Sequence, residues 1–223
     1  MRFQLFIALI AAAAAPMTAR GNATRLLPAA ESRLVLEGSS NVASWRCSGT
    51  TLDGRMDIAA PIAQINAVID RIEDGNVGAF MSNPAAGRFP EPTFTLRIPV
   101  STLRCGNRAM ERDLNHALQS SRFPDIEFRF TRLRSGVEHD IDSNSYRAAI
   151  NGTLALAGSS RDIEVTITAS RVSPTRFRVR ADLPLRMTDF GVEPPSALFG
   201  MIHARDALRV HFDLLLDAAE DSR

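Results

Sequence analysis

Lysine is missing from this chain of 223 residues: all 26 basic positions are arginine, set against 25 acidic ones. That excludes a phosphate-binding loop built on lysine, a Schiff-base lysine and a Ser–Lys dyad. A formal net charge of +1 argues against a nucleic-acid partner, which calls for a basic excess on one face. Motifs of the common chemistries are missing too. There is no GxSxG, HExxH, GxGxxG or C-x-x-C, and His116, His139, His203 and His211 stand without metal-ligand spacing. Asp140, Asp142 and Asn144 resemble the opening of a calcium loop. Ser145 stands where that loop needs glycine and Asn151 where it needs glutamate, so a polar turn is expected. No catalytic residue, metal site or cofactor is expected.

What is present is an ordinary globular composition, 45% hydrophobic and 23% charged. Its amino-terminal end differs from the rest. Arg2 is followed by an apolar, alanine-rich run from Leu5 to Ala15, then Pro16 and small residues around Gly21 and Ala23. This order reads as a secretory signal peptide over residues 1–23, removed on export. The run is too short for comfortable membrane spanning, which takes roughly 20 residues, and no later stretch approaches that length. A periplasmic or secreted protein without a stable membrane span is therefore expected.

Export governs the reading of the only two cysteines, Cys47 and Cys105. An even pair in an oxidising compartment suggests a structural disulfide. Two buried thiols and a redox pair are the alternatives, though a redox pair normally has the C-x-x-C spacing.

Most of the remaining sequence alternates apolar with polar residues, the period of a half-buried strand. Phe94, Leu96, Ile98 and Val100 share one face, as do Ile126, Phe128 and Phe130. Ala148, Ile150, Leu154 and Leu156 form another set, then Ile163 to Ile167, Phe177 to Leu185 with Val179 among them, and Leu208 to Leu214 with Phe212. Leu34 to Leu36 and Val42 to Met56 add two or three earlier strands. Arginines 129, 176, 178, 180 and 209 occupy the opposite, solvated faces. Two segments switch to helical period: Ile62, Ile65, Ile69 and Ile72 after Pro61, and Met110, Leu114, Ala117 and Leu118 within Asn107–Ser120. The fold class expected is mainly β, a single antiparallel sandwich or barrel of about eight strands with one or two short inserted helices.

Three blocks in order carry a resemblance. Ile98 to Gly106, then Met110 to Leu114 and Arg122 to Phe128, form the first; Asn151 to Gly158 with Arg161 and Val165 form the second; Asp189 to Val192, then Leu208 to Leu216, form the third. Together they resemble the YceI-like family of exported, lipocalin-like, polyisoprenoid-binding proteins. Asn115 to Leu118 and Gln119 to Phe123 depart from the family's pattern around the helix, and residues 61–90 look like an insertion. The resemblance implies a non-enzymatic lipocalin-like barrel over residues 32–217, after a linker at 24–31 and before a polar tail at 218–223. Its partner would be an isoprenoid or other amphiphilic lipid held in the apolar interior. The interior candidates are Trp45, Phe94, Leu96, Ile98 and Phe128, with Phe130, Ile150, Leu154, Val179 and Phe212. Arg104, Arg108 and Arg112 are the candidates for an anionic head group, since arginine offers a planar donor fork. The competing expectation is a stress-response or envelope interaction module whose barrel is a scaffold without a dedicated ligand.

Overall fold

The computed structural model describes residues 23–73, 92–134, 138–140, 142–197, 199 and 201–219. Residues 1–22 of the expected signal peptide, most of the 61–90 insertion and the last four residues lie outside them. The strands are β1 (Thr24–Pro28), β2 (Arg33–Ser40), β3 (Ser44–Gly49), β4 (Asp53–Ile58), β5 (Thr93–Pro99), β6 (Asp125–Leu133), β7 (Glu138–Asp140), β8 (Ser145–Leu156), β9 (Ser159–Ser173), β10 (Arg176–Arg186), β11 (Ser196–Ala197) and β12 (Ile202–Ala218). The helices are α1 (Ile62–Glu73) and α2 (Arg108–Ala117).

These segments build a closed, antiparallel up-and-down barrel of eight staves. β5, β6, β8, β9, β10 and β12 follow one another around the wall, and β1 closes it by pairing with both β4 and β12. Two staves are broken in the middle. β1 and β2 run in succession along β12, while β4 and β3 run along β1 and β2. At the first break the Ser32 hydroxyl donates to the Leu215 carbonyl and accepts from the Leu215 amide, both at 3.0 Å. A fully buried hydroxyl thus replaces the missing ladder bonds, as a buried polar group requires.

One expectation is corrected. Residues 24–28, assigned to the linker, form the first part of a stave of the barrel, with Leu26 buried. Five residues are too few to show a period, so the strand is defined by its two neighbours rather than by its own pattern. The long alternating segments fold as the pattern implies, with Leu34, Leu96, Ile98, Leu154, Val210 and Leu216 all buried inside. Both expected helices form over their apolar periods. Asn107 caps α2 by accepting from the Ala109 amide at 2.8 Å.

The outer wall carries the arginines. On β10, Arg176 donates through two nitrogens to Asp217 of β12 at 2.5 and 2.7 Å, and Arg178 grips Asp213 in the same forked manner. These guanidinium hydrogen bonds hold the Asp213 and Asp217 carboxyls below their ordinary value. A carboxyl depressed in the folded state contributes stability that is present above its unfolded value and is lost as pH falls through the folded value. The melting temperature should therefore fall as the pH is lowered from about 4 towards 2. The D213N/D217N variant should start lower at neutral pH and show a shallower fall over that window, as thermal melts at stepped pH would record.

Candidate functional site

The inward faces do not fill the barrel. Two apolar chambers lie in line along its axis. The upper has a volume of about 510 Å³ and is bounded by the α2 end of the barrel; the lower, of about 330 Å³, lies towards the opposite end. Both fall in the usual range for small-molecule sites, roughly 300–1,000 Å³. Leu154, Leu183 and Phe212 line both chambers and so form the waist between them.

All ten apolar candidates border this space. Trp45 and Ile98 line the upper chamber; Phe94, Leu96, Phe128, Phe130, Ile150 and Val179 line the lower; Leu154 and Phe212 line both. Two glycines make the aromatic placements possible. A Cβ on Gly38 would collide with the Trp45 ring, and one on Gly152 would collide with the Phe128 ring. Each glycine thus gives an aromatic side chain the room to lie against the wall.

The upper chamber is roofed by α2. Its Ala109, Met110, Asp113, Leu114 and Ala117 face the space, together with the preceding Asn107. The Cys47–Cys105 disulfide fastens the segment leading into α2 to the β3 wall. Backbone bonds at 2.8 Å between Ser48 and Arg104, one in each direction, reinforce the seam. The Glu111 carboxylate, one turn into the helix, accepts from the Cys105 amide at 3.0 Å. The roof is therefore held covalently, by backbone pairing and by a side chain.

Polar groups of the upper chamber gather at its rim: Ser40, Ser44, Asn107, Asp113, Arg186 and Ser196. None of the three arginines expected near a head group lines either chamber. The Arg104 side chain donates to the Ser101 and Leu103 carbonyls, and Arg108 and Arg112 are exposed elsewhere on α2. Arg186, at the end of β10, takes the rim position instead. It donates to Asp206 at 2.9 Å, and Asp206 also accepts from the Thr188 amide and hydroxyl, each at 2.9 Å. Those bonds hold the Asp206 carboxyl below its ordinary value, the Thr188 amide contributing most.

The lower chamber has Tyr146 as its polar member, and Tyr146 reaches α1. The Tyr146 hydroxyl donates to Glu73 at 3.4 Å, and burial, with the Glu73 charge, pushes its pKa up to about 12. Arg171 of β9 binds Asp70 and Glu73 of α1 at 2.6 Å each. The helical part of the insertion is thus tied to the end of the barrel opposite α2. The apolar stripe Ile62, Ile65, Ile69 and Ile72 is half-buried.

Among the described residues no cluster of histidine, cysteine and carboxylate side chains could hold a metal, and no helix is long and apolar enough to cross a membrane. His211 sits on the outer wall between Asp182 and Glu37, on three neighbouring staves. His203, eight positions earlier on β12, pairs through its backbone amide with Asn41.

Solved structures share the architecture. BcnA of Burkholderia cenocepacia superposes with a TM-score of 0.57 at 12% identity, over 83% of this chain and 96% of its own. A polyisoprenoid binding domain from Saccharophagus degradans, described as implicated in plant cell wall breakdown, superposes at 0.58 and 15% identity, over 87% and 98%. At such identities the likeness is one of fold. No curated protein matches the sequence. The family model of the YceI-like domain matches residues 39–216, and the chain belongs to that family.

Proposed function

We propose that this chain is a non-enzymatic binding protein for a polyisoprenoid or similar long-chain amphiphile, exported and active in the periplasm or outside the cell. The observation that carries the reading is the distribution of polarity along the axis. Two apolar chambers stand end to end, and the charged and hydrogen-bonding groups of the upper one are confined to its rim. An amphiphile has that same order, tail inside and head at the mouth. Burial of the tail supplies affinity at about 25 cal/mol per Å², and a few rim groups fix the head. Asn107, Asp113 and Arg186 serve that role. The family and the Saccharophagus neighbour, described as polyisoprenoid-binding, support the same class of guest. Arg108 and Arg112, exposed on the roof helix, attract an anionic head group at longer range without lining its seat.

The test is extraction of the protein purified from an exporting host, with mass spectrometry of the extract. A near-stoichiometric prenyl lipid is expected, together with an intact mass showing loss of residues 1–23. A barrel that carries nothing and takes up no prenyl lipid on incubation overturns the reading.

A further inference from the structure

The three most exposed of the large hydrophobic side chains among the described residues lie on two neighbouring loops. Phe199 is fully exposed, Met201 is 73% exposed and Val42 64% exposed. They belong to two loops at the mouth of the upper chamber: the turn joining β2 to β3, and the approach to β12. The loops are tied together. Asn41 donates through Nδ2 to the Met201 carbonyl at 2.8 Å and accepts at Oδ1 from the His203 amide at 3.0 Å, while its own amide donates to the His203 carbonyl at 3.2 Å. Val42 and Met201 are thereby presented from one clamped platform rather than from independent loops, with Phe199 two positions before Met201.

The backbone adds an independent observation. Phe199 adopts a left-handed conformation, φ 55°, where glycine is the usual occupant and a bulky residue is strained. An aromatic ring placed in solvent on a strained turn contributes nothing to the core. Strain of this kind is kept where a function uses it.

The platform adjoins the cavity. Ser40, Ala43 and Ser44 on one loop, and Ser196, Ile202 and Ala204 beside the other, line the upper chamber. From this continuity the geometry points to a membrane-docking site: Val42, Phe199 and Met201 insert into the interfacial layer of a lipid bilayer and set the chamber mouth against it. A folded protein partner fits less well. Three side chains, the largest of which buries roughly 150–250 Å², fall short of the 1,000 Å² or so that a stable protein interface needs. A bilayer interface asks only for apolar groups at the right depth, with no complementary shape.

The inference extends the lipid-binding reading but is measured apart from it. The probe is flotation of the full chain with phosphatidylethanolamine/phosphatidylglycerol vesicles that contain no prenyl lipid. The wild type is expected to float, and the V42S/F199S/M201S variant to lose vesicle partition roughly tenfold or more. V172S, which removes an exposed valine at the opposite end of the barrel, should float as the wild type does. Loading with prenyl lipid from detergent should be the same in all three, and failure of loading with flotation intact would count against the cavity reading alone. The docking inference is overturned if the wild type stays with the soluble fraction, or if the triple variant floats equally. It is also overturned if V172S loses as much, or if the platform mediates a concentration-dependent dimer in place of vesicle binding.

Discussion

The chain carrying Cys47→Ala and Cys105→Ala is expected to unfold about 4 kcal/mol more easily than the wild type, with a melting temperature roughly 8–16 °C lower. The bridge joins positions 58 apart. Closing a loop of that length removes a large share of the unfolded chain's freedom, which is where the chain-entropy model places the gain. The folded state around it should change little. The Ser48–Arg104 backbone pair and the Glu111 bond to the Cys105 amide persist in the variant. Thermal melts with and without reductant provide the control: the wild type should fall to the variant's value on reduction, and the variant should not respond. Because the same bridge fastens the segment leading into α2, the variant should also release a prenyl guest faster at temperatures below its melting point.

The second large effect is expected at the waist. Leu154, Leu183 and Phe212 separate the chambers, so a guest that occupies both must pass between them. Leu154→Trp places a large ring there. It should cost about 1–3 kcal/mol of stability through overpacking, and it should confine the tail to the upper chamber. Each buried methylene contributes about 0.8 kcal/mol. Withdrawing a single five-carbon unit from the lower chamber thus costs about 4 kcal/mol, or nearly a thousandfold in affinity. Short prenyl chains that fit the upper chamber should bind as before. Competition binding with a series of prenyl alcohols of increasing length would read the effect as a break in the length dependence. Equal weakening for every length would instead mean that the ring perturbs the whole site.

Much of this was legible in the sequence, for a definite reason. A barrel wall imposes a period of two on every stave, so the segments containing Phe94 to Val100 and Leu208 to Leu214 announced both their strand character and their inward face. All ten apolar candidates lie on the cavity as a result. The same period cannot say whether inward side chains meet in the middle. Empty space is a property of eight staves together, set by closure and by the glycines under Trp45 and Phe128. β1 escaped notice because its five residues pair at both edges yet have no pattern of their own. Arg186 escaped because it continues the outward series of Arg176, Arg178 and Arg180. It reaches the rim only because the chain turns into the short helical segment of Met187–Phe190. Proximity to the helix start points to Arg104, Arg108 and Arg112, but a helix has more than one face.

Around the lower chamber the pairing is unbroken, from β1 through β4, β5, β6, β8, β9 and β10 to β12 and back to β1, and that bears on how fast the tail of a guest can leave. No gap opens between those strands for a chain to slip sideways, so the part of a linear guest held there moves only along its own length, like a rod in a sleeve. Its successive units must be withdrawn one after another, each giving up its contacts before the next begins. Residence time then multiplies with every added unit instead of rising in proportion to it. A sleeve of this kind separates guests by how long they stay, even where their rates of arrival are the same.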